Sequence, residues 1–355
     1  MNAIYLVTDD RLADVASAQA LHLHRMWGVD VHLFIERKDP SIDITEVLSP
    51  GVFYHYDRLS PLLPAGLPGD KKWPNIVYLR LFVPSFLKQY DRLIYVDVDI
   101  LSMRADHRIW SVPLPSGLGM VADIATLDKV PHVFKGMTRG EWFDTIGVKS
   151  GRYANSGVLL IDPKKFSEYD FGRLLLEYFR KHPTAKTFDQ DFLNWLFDGQ
   201  WTEISPRFNF QAHVLELGLT RSIQPIFVHL CRSQKPWWGI QEEYASPTDP
   251  YYLRAFAKNL KDAGFNPDKY CRKVPVKSVR KMKFHIYRWL SSIGVPSRRE
   301  RQELRKWREL SDRFRDRFNE RASTGCYADD LSGIRAQRSG EPEFNGRYVK
   351  VASDY

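Results

Sequence analysis

Arg92-Leu93-Ile94-Tyr95-Val96-Asp97-Val98-Asp99-Ile100-Leu101 is an apolar run that ends in two carboxylates one residue apart. A buried strand would normally reject such a pair, because burying an unpaired charge is costly. Period-2 geometry predicts Asp97 and Asp99 on the same side of an extended backbone. Two carboxylates so placed suit a divalent cation, and an oxygen-rich site suits Mg²⁺ or Mn²⁺. In α/β sheets the ligand crevice lies beyond the carboxyl ends of the strands. Taken alone, Asp-x-Asp is equally a strand end followed by an acidic turn, so its surroundings matter.

Working outward, Ile4 to Val7 reads as a first buried strand, followed by the polar turn Thr8-Asp9-Asp10-Arg11. Residues 12–27 read as a helix, with Ala13, Ala16, Ala20, Leu23 and Trp27 on one face. Val29 to Ile35 reads as a second strand. A loop with four prolines covers 60–74, a helix is expected over 75–89, and a strand over 92–96. Further strands are expected at Gly117 to Asp123, Val158 to Ile161 and Pro225 to Leu230, with helices around 171–181 and from Asp189. Strands alternating with helices predict an α/β, doubly wound and mostly parallel sheet.

At 355 residues the chain can bury one large core, with room for an appendage. Cys231, Cys271 and Cys326 are too few and scattered for a disulfide framework or a zinc site, which favours a reducing compartment. Met1-Asn2-Ala3 leads straight into the first strand without a basic n-region, and no stretch has the length of a membrane span. The expected location is therefore cytoplasmic.

The net charge of +9 resides in one place. Residues 271–320 carry 16 Lys and Arg against 6 Asp and Glu, and the rest is close to neutral. Here Met282, Ile286, Trp289, Leu290 and Ile293 share a helical face, with Lys277, Lys281, His285 and Arg288 opposite. Phe284 and Tyr287 interrupt the polar side. Ser297 with Glu300 reads as a capping box for a further helix whose apolar stripe is Leu304, Trp307, Phe314 and Phe318. Three segments are expected: 1–265 as the α/β domain, 266–320 as a basic helical appendage, and 321–355 as a loose tail. Basic residues interleaved with aromatics suit an anionic membrane surface. No nucleic-acid recognition motif accompanies them, so nucleic acid is not the expected partner.

Several polar stretches sit where a strand meets a crevice. Asp9-Asp10 follows strand one and could accept from a base or ribose, or serve as an Asx turn or cap. His229 ends an apolar strand, where it is either a third Mn²⁺ ligand or a hydrogen-bonded structural residue. Lys235, before Pro236-Trp237, offers a point charge for phosphate. Asn155 in Asn155-Ser156-Gly157 precedes a strand and can face the crevice. Asp189-Gln190-Asp191 opens a helix, where Asp189 would also act as its cap.

Together these stretches resemble the retaining glycosyltransferases of family 8, which include bacterial lipopolysaccharide galactosyl- and glucosyltransferases and, more distantly, glycogenin. The family order is an acidic pair after strand one, Tyr-x-Arg, Asp-x-Asp, Asn-x-Gly, Asp-Gln-Asp and a His…Lys-Pro-Trp loop. All six occur here in order, across residues 4–237. Arg207-Phe208-Asn209-Phe210 is also similar to a family stretch.

The resemblance implies a GT-A-type fold and a Mn²⁺ (or Mg²⁺) site of Asp97, Asp99 and His229, bridging the diphosphate of UDP-glucose or UDP-galactose. It implies Asp9 on the uracil, Asp10 and Arg80 beside the donor, and Asn155, Asp189 and Gln190 on the transferred sugar. Lys235 would hold the phosphates, and Asp123 would lie between donor and acceptor. Two positions depart from the family: Arg11 replaces an Asn, and Arg232 replaces a Gly that lets backbone approach the phosphate. Arg232 could itself add a phosphate contact. The reaction implied is hexosyl transfer with retention to a glycolipid or polysaccharide acceptor, at the inner face of a membrane. Since Gln190 is a poor nucleophile, front-face substitution is expected rather than a covalent intermediate. The alternatives are a glycogenin-like or protein-directed transferase, and a non-catalytic protein that binds UDP-sugar or polyanion.

Overall fold

The computed structural model describes residues 1–39, 49–69, 74–123, 137–215, 217–231, 235–238, 250–271 and 298–338, with a few single positions between them. In chain order the strands of the two larger sheets are β1 (Asn2–Asp9), β2 (Asp30–Glu36), β3 (Val52–Asp57), β4 (Arg92–Val96), β5 (Ile100–Ser102), β6 (Leu118–Ala122), β7 (Ala154–Ile161), β8 (Thr202–Ile204), β9 (Phe210–Gln211) and β10 (Phe227–His229). Seven of them form one sheet in the order β3-β2-β1-β4-β7-β6-β8. Only β7 runs antiparallel to its neighbours.

Both faces of this sheet are covered, as a near-continuous apolar β1 requires. Ile4 and Leu6 face the helix Ala13–Trp27, whose buried stripe includes Ala16, Ala20, Leu23 and Trp27. Ala3 and Tyr5 face the opposite layer, where the helices Phe171–Lys181 and Asp189–Leu196 pack. The first helix stops at Gly28, which takes the left-handed conformation and donates its N–H to His24 O.

The expected helix over 75–89 is broken into a 3₁₀ turn, a short helix Leu79–Phe82 and a second 3₁₀ turn Val83–Phe86. Pro84 is the cause, since it has no N–H to continue the ladder and its ring crowds the preceding turn. β3 was not expected, although Val52-Phe53-Tyr54-His55-Tyr56 carries the aromatic signature of a strand.

Asp97 and Asp99 do not continue β4. They lie in a turn, with Ile100 N–H donating to Asp97 O, that passes the chain from the main sheet to a small one of order β5-β10-β9. There Ile100 pairs with His229, and Leu230 N–H donates to Asp99 O. The two carboxylates therefore converge through a turn between sheets, not through strand periodicity.

Past residue 298 the chain forms a helix, Arg298–Ser323, and Phe314 and Phe318 bury against Phe210, Val214 and Ile223. The loose tail expected from 321 is packed over its first part. Asp329 accepts from Ser205 N–H and Oγ, and Gln337 N–H donates to Ser222 Oγ. The buried Asp329 contact and the burial of Tyr327 and Ala336 offset the chain entropy there. Met282, Ile286, Trp289 and Ile293 are all exposed, Trp289 at 62%. Lys277, Lys281, Phe284, His285, Tyr287, Arg288, Ser297, the side chains of Glu300, Leu304 and Trp307, and the tail beyond 338 lie outside the described residues. Among the described residues no helix is long and apolar enough to cross a membrane.

Candidate active site

The carboxyl ends of β1, β4 and β6 deliver Asp9, Asp97 and Asp123 to one edge of the sheet. β10 brings His229 across from the small sheet. His229 Nε2 stands 3.4 Å from Asp99 Oδ1 and 3.8 Å from Asp97 Oδ2, and ligand atoms of all three lie within 4.8 Å of one another. Ligands of one octahedral ion at about 2.1 Å stand roughly 3–4 Å apart, so this donor set fits a single small cation. Asp99 is fully buried, and among the described residues its Oδ1 has no hydrogen-bond partner. Such an orphan acceptor costs about 1–3 kcal/mol unless something occupies it. Lys235 Nζ holds the other oxygen, Oδ2, at 2.6 Å. Burial alone would raise the Asp99 carboxyl, but the Lys235 ammonium outweighs it and holds it well below the usual range.

A second charged layer lies behind. Arg80 is buried, with Nη1 3.1 Å from Asp97 Oδ1 and 3.4 Å from Asp189 Oδ2. Its guanidinium stacks on Tyr95 and donates to Val77 O and Ser156 O. Tyr95 O–H donates to Asp97 Oδ1 at 2.5 Å. Asp189 is pushed up to about 6, by burial and by the Asp97 charge, against the pull of Arg80. It does not cap its helix. The cap position is Phe188, held at φ 44, a strained conformation for a non-glycine residue. Asp191 pins this bend by accepting from the N–H groups of Lys186 and Thr187. Asn194 docks the helix to β7 through both backbone groups of Ala154.

The remaining polar groups form one chain of contacts. His229 Nδ1 meets Asn209 Oδ1 at 2.9 Å, and Asn209 Nδ2 donates to Asn155 Oδ1 at 2.8 Å. Asn155 Nδ2 donates to Gln190 Oε1 and to Asp123 Oδ2. Gln190 Oε1 also accepts from Ser156 N–H, while its Nε2 donates to Tyr153 Oη, whose hydroxyl in turn donates to Asp191. Gly157 makes room for the ring, since a Cβ there would meet His229 Cε1 at 2.4 Å.

Asp9 and Asp10 end β1 at the same edge but are already engaged. Asp9 Oδ2 accepts from Arg11 and from Lys38 Nζ, and these contacts outweigh burial to lower its carboxyl. Asp10 Oδ2 accepts from the N–H groups of Lys38 and Asp39, tying down the chain beyond β2. Arg11, the departure at this site, is thus the partner of Asp9. Arg232 lies outside the described residues.

With this geometry in place, residues 41–241 match the model of glycosyl transferase family 8. The chain belongs to that family. General stress protein A of Bacillus subtilis is 26% identical over 179 residues, covering 45% of this chain and 58% of that protein. Glucoside xylosyltransferase 1 of Rattus norvegicus is 30% identical over 220 residues, covering 56% of this chain and 48% of that protein. The chain thus spans about half the length of the curated relatives it matches. Among solved structures, the galactosyltransferase LgtC in complex with donor and acceptor sugar analogs aligns with TM-score 0.55 at 21% identity, covering 74% of this chain and 96% of that one. The apo bifunctional glycosyltransferase WbbM aligns with TM-score 0.57 at 16% identity, covering 81% and 51%. These two likenesses establish the fold, an α/β architecture of GT-A type.

In this family 8 chain the structure brings Asp97, Asp99, His229, Lys235, Arg80, Asp189, Gln190, Asn155 and Asp123 into one connected cluster. It adds Tyr95 and Tyr153, to which the sequence assigned no role, and gives contacts to Asp191 and Asn209, which the sequence placed only within longer motifs. Tyr95 had a local signal, lying two residues before Asp97, and Asp191 was already part of the Asp189-Gln190-Asp191 stretch. Asn209 was marked only by the stretch Arg207-Phe208-Asn209-Phe210, which does not reveal its contacts, because these lie 20 and 54 residues away.

Proposed function

We propose that this family 8 protein is a metal-dependent retaining hexosyltransferase that takes glucose or galactose from a UDP-sugar. The observation that carries the reading is the orphaned, buried Asp99 Oδ1 facing His229 Nε2 beside Asp97. Hard oxygens with one imidazole suit Mn²⁺ or Mg²⁺. Bound there, such a cation supplies Lewis-acid stabilisation of the charge that grows on a departing diphosphate. Lys235 orients Asp99 and adds positive charge at the phosphate side. Asp9, kept ionised by Arg11 and Lys38, offers an acceptor to a nucleobase N–H.

On the sugar side, Asp189, Asn155 and Gln190 present polar groups to hydroxyls, with Asp123 toward the acceptor. Gln190 Oε1 already accepts two hydrogen bonds, from Asn155 and from Ser156 N–H. It is therefore held as a neutral positioning group with both lone pairs engaged, which favours front-face substitution over a covalent intermediate. NMR of the product anomer checks the retaining outcome: retention is expected, and inversion overturns it.

The acceptor proposed is a glycolipid or polysaccharide at the cytoplasmic face of a membrane. Support comes from the exposed Met282, Ile286, Trp289 and Ile293 within the basic segment. The test of the donor reading is UDP release with Mn²⁺ across UDP-glucose, UDP-galactose and UDP-xylose, the last included because relatives bear the name glucoside xylosyltransferase. Release with one sugar, lost in EDTA and in Asp97→Asn and Asp99→Asn, is the expected result. Absence of both turnover and calorimetric UDP binding overturns it.

A further inference from the structure

We infer that Asn209 is the positioning residue that sets the tautomer of His229, turning a bare Nε2 toward Asp97 and Asp99. This rests on the metal-site reading of those three side chains.

The direction of the hydrogen-bond chain follows from two groups that can only donate. The backbone N–H of Gly157 meets the Asn155 amide at 3.0 Å, so that atom is Oδ1. Asn209 meets the same Oδ1 at 2.8 Å, so it presents its NH₂ there. Its Oδ1 then faces His229 Nδ1 at 2.9 Å. An amide oxygen carries no proton, so Nδ1 must carry it. In the neutral ring Nε2 is then a lone pair, standing 3.4 Å from Asp99 Oδ1.

A second anchor agrees independently. Ser156 N–H meets Gln190 at 3.1 Å, which makes that atom Oε1, and Asn155 meets the same oxygen with its nitrogen at 3.1 Å. Both anchors require the same orientation of Asn155. Reversing Asn209 would set oxygen against oxygen at Asn155. Reversing Asn155 as well would set its NH₂ against a backbone N–H. Asn209 is 1% exposed and His229 4%, so water cannot relieve either clash cheaply. The tautomer is thus imposed by backbone donors on β7, transmitted through two amides. Because the group on Nδ1 is a neutral amide, the ring is oriented without adding charge to a site that already holds two carboxylates. Partners of this kind typically change metal affinity by 10–100-fold.

The test uses the full chain. In the ¹⁵N NMR spectrum of the metal-free protein, His229 Nδ1 is expected to be protonated, and a bare Nδ1 overturns the inference whether or not metal binds. Mn²⁺ affinity is then followed by EPR of free Mn²⁺. Asn209→Ala is expected to weaken it roughly 10–100-fold. Asn209→Asp still accepts from Nδ1–H, but its second oxygen meets Asn155 Oδ1 where the amide donated, so it is expected to preserve the Nδ1–H signal while recovering only part of the Mn²⁺ affinity lost in Asn209→Ala; a bare Nδ1 in it overturns the inference. Wild-type affinity in Asn209→Ala overturns the inference. If the unaltered protein binds no Mn²⁺, the metal reading fails instead, and the ring spectrum still decides the tautomer.

Discussion

Gly157 sits where any side chain would collide with the His229 ring: a Cβ would lie 2.4 Å from Cε1 and 2.7 Å from Nδ1. Gly157→Ala is therefore expected to displace the ring. Mn²⁺ affinity should fall by about tenfold or more, as for other losses of ligand orientation, while circular dichroism stays native. Arg80 makes the opposite case, a residue whose removal should hurt stability first. It is the cation between Asp97 and Asp189, all three being wholly or largely buried. Arg80→Ala leaves two buried carboxylates uncompensated, at a cost of about 3–5 kcal/mol in urea unfolding. Arg80→Lys should recover only part of this, because a point charge cannot reach Val77 O and Ser156 O while stacking on Tyr95. A neutral outcome for Arg80→Ala would show that Asp189 takes up a proton once the guanidinium is gone.

Strands β2 and β3 carry a titratable cluster of their own. His32 stacks on Phe53 and His55, its Nδ1 faces His55 Nε2, and its Nε2 meets Tyr90 Oη, which donates to Asp30. Burial, and then the His55 charge, push His32 down to about 4, against the pull of Asp30. An unfolded histidine titrates near 6.5. The folded protein therefore binds the proton less well, and stability is complete above about pH 6.5 and declines as pH falls toward 4. The loss is on the order of 2–3 kcal/mol. Urea midpoints measured between pH 7.5 and 4.5 check this: His32→Phe should flatten the slope in that window. An unchanged slope would place the titration elsewhere. The element itself escaped notice because β3 lies at the sheet edge, where half-exposed aromatics blur the alternation.

At the scale of the whole molecule, the C-terminal helix and the segment after it buttress the site from behind. Phe314 and Phe318 pack on Phe210, and Asp329 holds Ser205, four residues before Asn209. Ending the chain at residue 323 should lower the melting temperature by several degrees, as the loss of about 1–2 kcal/mol of such contacts does, and should weaken Mn²⁺ binding with it. Unchanged stability would make the segment a passive cover. The proposed membrane attachment is separable from this. Replacing Met282, Ile286, Trp289 and Ile293 by Ser should reduce binding to anionic vesicles without altering UDP release. Equal binding, or full release of the unaltered protein by 1 M NaCl, would leave charge alone as the attractive force.

From the sequence itself came the alternation of strands and helices and the two apolar faces of the sheet. So did the acids at strand ends and the family. These are local or ordered signals: buried strands need apolar runs, and carboxylates at their ends need partners. Tertiary structure alone decided that Asp97 and Asp99 converge in a turn between two sheets, and that Arg80 lies behind them. It also placed Asn209, 54 residues from Asn155, to complete the chain to His229. The physical reason is range. Periodicity and turn chemistry act over a few residues, whereas the polarity of a buried hydrogen-bond network is set by whichever distant donors the packed fold places against it.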